Sequence, residues 1–278
     1  MLPNNNKTII NKLAKNSVKT NKKQYAILFF TIILSSFMLF CVFTIGMTYL
    51  DSSRLQNTRL NGVEYDIAAM NGFTSEQLNT LRQNEHIRSV GMESYAGFIQ
   101  STEYDETVEV GLLWCDEVFW DNLMSPARTK LDGHYPQNKN ELMVTKDILK
   151  TCGNENLSVG DSLILTYANN TGVYTDEFII SGIWDGYGDT SAGFVSKAFY
   201  DETGYDLKND GILCIKLNRN YVFPATIQSI EKSLDFSDRQ IFAPTSYIEN
   251  SFKLLLGICG LALVICLSAY LLIYNILY

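Results

Sequence analysis

Residues 25–50 read YAILFFTIILSSFMLFCVFTIGMTYL, an unbroken run without a charged side chain, in which fourteen positions are Leu, Ile, Val or Phe. As a helix it reaches about 37 Å, longer than the ~30 Å hydrocarbon core of a bilayer. Residues 254–278, LLLGICGLALVICLSAYLLIYNILY, repeat the pattern, again with no charge and fourteen such residues. At about -0.3 to -0.6 kcal/mol per residue, insertion of each run is favoured by at most about 4 to 8 kcal/mol. Both therefore read as membrane spans. A cleaved signal peptide is the alternative for the first, but its apolar region is usually only about 7–15 residues and ends in small residues. The chain after Ile45 reads Gly46-Met47-Thr48-Tyr49-Leu50-Asp51, without that pattern, so an uncleaved anchor is expected.

The charges are sorted around these runs. Residues 1–24 carry six lysines and no acid. All thirty acids lie between Asp51 and Glu249, beside only fifteen Lys and Arg, so this stretch nets about -15 where the whole chain nets -8. Such a distribution argues against a soluble cytoplasmic enzyme. It argues equally against a nucleic-acid binder, because the acidic bulk repels phosphates. Basic flanks stay on the cytoplasmic side, which places residues 1–24 inside and residues 51–253 outside the cell membrane.

Within the basic flank, Ile9, Ile10, Leu13, Ala14 and Val18 fall near one helical face, apart from most of the lysines. The pattern suits a short amphipathic helix on the inner membrane surface, or a plain basic flank that sets topology. Tyr270, Tyr274 and Tyr278 recur every four positions and suit either the headgroup level or ordinary helix packing. Cys115, Cys152 and Cys214 lie outside the spans; one disulfide with a spare thiol and three free thiols both fit their spacing.

The roughly 200 residues between the spans are enough to bury a core. Thr74 and Gln77 can form a capping box, with Phe73 and Leu78 as the hydrophobic staple, predicting a helix to about Asn84. Strands are predicted on either side, at 63–70, 87–100 and 108–115, followed by a short helix at 116–123. From Asp132 the texture is mainly β: strands at 141–145, 162–168 and 173–184, the last two joined by Asn169-Asn170-Thr171-Gly172, with a helix at 146–152 closed by Gly153. A strand at 211–217, a helix at 224–234 and a strand at 239–243 complete the chain. The expected fold is α+β, a module built from both ends of the segment and carrying a β-rich insert at about 130–200.

Chemistry has no candidate. There is no phosphate-binding G-x-x-x-x-G-K-[ST], no G-x-S-x-G elbow and no H-E-x-x-H. His86 and His134 read as surface residues. Asp185-Gly186-Tyr187-Gly188-Asp189 lacks the spaced carboxylates of a calcium loop and reads as a glycine turn. Asp201, Glu202, Asp206 and Asp210 read as a solvated acidic face. No catalytic, metal or cofactor site is expected.

Three stretches together resemble the FtsX/MacB-like ABC transporter permeases of the mechanotransmission type. Residues 11–23, NKLAKNSVKTNKK, look like the basic segment that leads into the family's first membrane helix. Gly133-His134-Tyr135-Pro136-Gln137-Asn138-Lys139-Asn140-Glu141, with Gly160-Asp161 downstream, is similar to the family's G-x-Y-P-x-x-x-N-E pattern and later G-D. Tyr274-Asn275 looks like the tyrosine–asparagine end of the second membrane helix. The resemblance implies a MacB-like outer core domain, an ABC ATPase partner, and a homo- or heterodimer of permeases. ATP hydrolysis inside would drive movements outside, on a peptide, lipid or drug. The family's structural motif residues carry over to Gly133, Tyr135, Pro136, Asn140, Glu141, Gly160, Asp161, Tyr274 and Asn275. Family members have at least four membrane helices, so the resemblance is to the front of a permease. The competing reading is a two-span extracytoplasmic sensor or anchored regulatory protein lacking its output domain. The 133–141 stretch and the Tyr274-Asn275 end separate the two, since a sensor has no use for them.

Overall fold

The computed structural model describes residues 6–100, 110–187, 192–219 and 222–277. In chain order the elements are α1 (Asn6–Thr20), α2 (Lys22–Asn61), β1 (Ile67–Met70), α3 (Ser75–Gln83), β2 (Ile87–Ile99), β3 (Val110–Cys115), β4 (Arg128–Gly133), β5 (Glu141–Thr145) and α4 (Lys146–Thr151). Then follow β6 (Ser162–Asn169), β7 (Gly172–Gly186), β8 (Ala192–Val195), α5 (Lys197–Tyr200), α6 (Leu207–Asp210), β9 (Ile212–Leu217), α7 (Pro224–Ser233), β10 (Ile241–Pro244) and α8 (Ser246–Leu277). The fold is a mixed α+β domain flanked in sequence by two long apolar helices. It divides into two compact units: the described residues up to Leu50 with those from Lys253 on, and Asp51–Phe252.

Among the described residues, α2 and α8, most of whose lengths lie in the first unit, are the two helices long and apolar enough to cross a membrane. Their side chains stay largely uncovered: Phe30 is 68% exposed and Leu263 58%, as lipid-facing residues would be. The two helices meet where Gly46 faces Ile258; a Cβ at Gly46 would lie 2.5 Å from the Ile258 Cδ1. α1 forms over the lysine-rich flank, and Ile9, Ile10, Leu13 and Val18 are all exposed along it.

In the second unit, the ten described strands share one sheet in the order β10-β1-β9-β2-β3-β8-β5-β7-β4, with β6 paired to β7 along its whole length and to the tip of β2. The β3–β8 and β5–β7 pairs are parallel and the rest antiparallel. Three apolar clusters fill it. One joins the ends of the segment, with Ile67, Leu81, Val90, Leu213, Ile230 and Ile248. Another lies under the β-rich part, with Leu142, Leu163, Phe178, Ile180, Val195 and Phe199. The third sits between them around Phe119, Trp120, Trp184 and Phe194.

Local signals explain most of these elements. The capping box forms: the Thr74 hydroxyl accepts from Gln77 N–H at 3.2 Å, while the Gln77 side-chain Oε1 accepts from Thr74 N–H at 2.9 Å. Pro224 opens α7 at its first position, where its missing N–H costs nothing. Three expectations are corrected. The first strand begins at Ile67 rather than 63, because α2 runs on to Asn61 and ends at Gly62, whose φ of +71° turns the chain out of the helix. Val118–Leu123 is one widened turn rather than a regular short helix, marked by Met124 N–H bonding the Phe119 carbonyl five residues back. Asp185 and Gly186 end β7 instead of forming a glycine turn, and Gly188 and Asp189 lie outside the described residues. Strands β4 and β8 and the short helices α5 and α6 have no counterpart in the sequence reading. Residues 108 and 109, at the start of the expected third strand, and Tyr278 lie outside the described residues.

Candidate functional site

The residues of the 133–141 and 160–161 motifs converge on four residues of β7. β4 ends with Gly133 opposite Gly182. Its φ is +87°, and a Cβ there would lie 2.2 Å from the Ser181 carbonyl oxygen, so only glycine fits. His134 N–H then donates to that same carbonyl at 2.9 Å. On the other side of the loop, Ile179 N–H donates to the Asn140 carbonyl at 2.8 Å. Gly160 N–H donates to Ile180 O at 2.8 Å, and Ile180 N–H returns to Asp161 O at 2.9 Å. The two motifs, separated by a strand and a helix in sequence, therefore clasp residues 179–182 from both sides.

The remaining motif side chains hold the clasp in shape. Pro136 is buried. The Tyr135 ring packs 5.2 Å from Trp120 and 6.0 Å from Phe194, and its hydroxyl accepts from Cys115 N–H at 3.0 Å. Burial, foremost, pushes the Tyr135 phenol well above its ordinary range, so it is neutral and serves as a hydrogen-bonding tip. The Glu141 carboxylate accepts from Gln137 N–H at 2.7 Å, Asn138 N–H at 3.1 Å and Asn138 Nδ2 at 2.7 Å. Burial alone would raise its pKa, but these bonds, with His134 nearby, outweigh it and hold the carboxyl below the usual range. Asp161 Oδ2 accepts from Ser158 N–H at 2.8 Å, closing the turn before β6. Tyr274 and Asn275 lie on α8 in the other unit, both exposed, with the Tyr274 ring 6.4 Å from Tyr270.

This arrangement fixes the backbone of the loop against β7, and the other sequence candidates fall as follows. Among the described residues no three His, Cys, Asp or Glu side chains gather to hold a metal. His86 and His134 are exposed. All six cysteines stand as free thiols in this structure, with Cys115 and Cys214 buried. The acidic 201–210 face is spent locally: Asp201 pairs with Lys197, Glu202 with Lys139, and Asp206 caps α6 through Lys208 and Asn209 N–H. An open hollow of about 470 Å³ lies beside α3 and Arg239. Its buried polar member, Gln77, is already bonded to Thr74, Leu234 and Gln240.

The sequence reading missed two groups, one buried and one partly buried. Lys216, in the apolar strand ILCIKL, is buried beside Asp66, with Glu64 and then Arg54 beyond it. A lysine inside an otherwise apolar run was the available signal. Glu93, on β2, is held near neutrality: burial raises its pKa to about 7.

No family model matches this chain, and no curated protein does either. Similar solved structures include the periplasmic region of MacB from Actinobacillus actinomycetemcomitans, at a TM-score of 0.45 and 12% identity, covering 69% of this chain and 95% of that one. The extracellular domain of the noncanonic ABC-type transporter YknZ from Gram-positive bacteria is similar at a TM-score of 0.41 and 12% identity, covering 64% of this chain and 98% of that one.

Proposed function

We propose that this protein is a permease subunit of an ABC transporter of the mechanotransmission type. In this reading residues 1–24 lie on the cytoplasmic face, 25–50 and 254–278 cross the cell membrane, and 51–253 form the extracytoplasmic core domain with its β-rich insert at about 130–200. A separate or fused ABC ATPase hydrolyses ATP inside. A homo- or heterodimer of permeases converts that hydrolysis into movement outside, exporting or extracting a peptide, lipid or drug.

The observation that carries the reading is the clasp on β7. Gly133, Tyr135, Pro136, Asn140, Glu141, Gly160 and Asp161 are the residues on which the sequence resembles the permeases; Pro136 is buried in the loop, and each of the others bonds or pairs at one end of the β-rich part. A sensor domain has no need of that particular set. The spans are compatible with movement rather than conduction, since residues 25–50 and 254–278 include no Asp, Glu, Lys, Arg or His that would mark an ion path. α2 and α8 are 40 and 32 residues long, and rigid helices of that length are the elements able to carry a displacement.

The test is purification of the tagged full chain from its native membranes in mild detergent, with ATP hydrolysis and co-purifying proteins measured. Vanadate-sensitive ATPase activity from a P-loop partner is expected. A histidine kinase as the stoichiometric partner, with no such ATPase, would overturn the proposal in favour of sensing.

A further inference from the structure

Within the Asp51–Phe252 unit, four charged side chains stand in series. Arg54 Nη1, on α2, lies 3.7 Å from Glu64 Oε1, and that oxygen lies 3.3 Å from Lys216 Nζ on β9. Lys216 Nζ lies 3.1 Å from Asp66 Oδ1, just before β1. The Lys216 and Asp66 side chains are only 4% and 1% exposed. Asp66 uses every remaining group: its Oδ2 accepts from Leu217 N–H at 2.8 Å, its own N–H donates to Ile215 O at 2.9 Å, and its carbonyl accepts from Thr245 N–H at 2.8 Å. Thr245 in turn caps α8, its hydroxyl accepting from Ile248 N–H at 3.3 Å. The series therefore begins on the last turns of α2 and ends on the first turn of α8.

Such a series is a poor way to gain stability. Desolvating two charges offsets most of their attraction, and apolar residues of the same volume usually serve as well or better. Burial is also the foremost influence on Asp66, raising its carboxyl above the ordinary range against the pull of Lys216 and Leu217 N–H. What directional, fully satisfied bonds supply and apolar packing does not is a single fixed geometry.

We propose that Arg54, Glu64, Lys216 and Asp66 form the joint that keeps the last turns of α2 and the first turns of α8 in register, with Lys216 as its positioning residue. The register concerns this unit alone; its use, passing a shift of either helix to β1 and β9 together, rests on the transporter reading above.

Hydrogen exchange on the full chain in lipid nanodiscs tests the joint. Arg54→Gln removes the end member, which is part-exposed on α2 and whose charge also acts on Tyr247 of α8. The expected result is exchange at least threefold faster at residues 245–252 as well as at 51–61, with β5 to β7 unchanged. Faster exchange confined to 51–66, or spread equally over the whole unit, would overturn the proposal, since either is what a merely local or merely stabilising contact gives. Lys216→Met should quicken both segments together by at least tenfold; where that variant does not fold, Arg54→Gln decides. No ATPase or substrate enters this measurement, so its outcome bears on the joint and leaves the transporter reading to its own test.

Discussion

The hydroxyl of Tyr135 accepts a hydrogen bond from the backbone N–H of Cys115 at 3.0 Å, across 20 residues of sequence. Cys115 is the last residue of β3 and Tyr135 follows β4, so one phenol ties the central strands to the loop that carries the permease-like motif. Cys115 is 3% exposed, and no solvent is at hand to replace the lost acceptor. Tyr135→Phe keeps the ring contacts with Trp120 and Phe194 and removes the hydroxyl, which accepts from Cys115 N–H and can donate to the Cys115 or Val195 carbonyl at 3.3 Å. It should cost about 1–3 kcal/mol, the usual penalty of a buried donor left unpaired. Tyr135→Leu should cost more, because the ring contacts go as well. Urea unfolding of the full chain in micelles, followed by tryptophan fluorescence, measures both.

Glu141 offers a pH-dependent test of the same loop. Its folded-state pKa is depressed, so the stability it contributes is present above the ordinary glutamate pKa and lost as pH falls through the folded value. Glu141→Gln should therefore destabilise by about 1 kcal/mol at pH 7. The difference from the unsubstituted protein should shrink as pH falls through the folded-state pKa and Glu141 itself becomes protonated. A difference that does not shrink as acid is added would mean that shape, and not charge, holds Gln137 and Asn138.

Glu93 acts in the opposite direction. Burial raises its pKa to about 7, so the folded protein holds a proton there that the unfolded chain releases near pH 4.3 to 4.5. Stability from this group is greatest below pH 4.5, falls as pH rises from there to about 7, and levels off above. A shift of that size corresponds to at most about 3 kcal/mol, and partial exposure of the side chain reduces it. Glu93→Gln removes the penalty. The variant should be more stable than the unsubstituted protein at pH 8 and equal to it at pH 4. Cys115, Cys214 and Tyr65 surround the carboxyl; burial raises all three pKa values as well, so their titration does not enter this range.

How much of this was readable from the sequence follows from the range of each interaction. The two long apolar helices, the α3 capping box, the β6–β7 hairpin and the Pro224 start of α7 depend on neighbours within a few residues, and each appears at or near its expected place. β4 and β8 were not legible because their pattern is not local. β4, RTKLDG, is an exposed edge strand with charged side chains and no apolar alternation, defined only by its pairing with β7. β8, AGFV, is four residues long and takes its place from parallel pairing with β3, some 80 residues earlier. The motif residues could be picked out by type and spacing, but not their shared target, because Ser181 and Gly182 carry no signal of their own. Asp66 and Lys216 are 150 residues apart, and nothing near either one names the other.

Gly46 and Ile258 provide the test of how the two long apolar helices pack. A Cβ at Gly46 would approach Ile258 Cδ1 to 2.5 Å and Cγ1 to 2.7 Å, closer than carbon atoms tolerate. Between apolar helices in lipid, close packing rather than hydrophobic burial drives association, so a small residue at the contact has a direct energetic role. Gly46→Ala forces the Ile258 side chain to turn away and should weaken the pair by about 1 kcal/mol. Ile258→Ala alone leaves a gap and should cost a similar amount. Together the two substitutions are complementary, one adding the volume that the other vacates, so the double variant should lose clearly less than the two single losses combined. A double-mutant cycle by unfolding in SDS and mild detergent mixtures measures the coupling. Additive losses would mean that the helices do not meet at these two residues in the membrane.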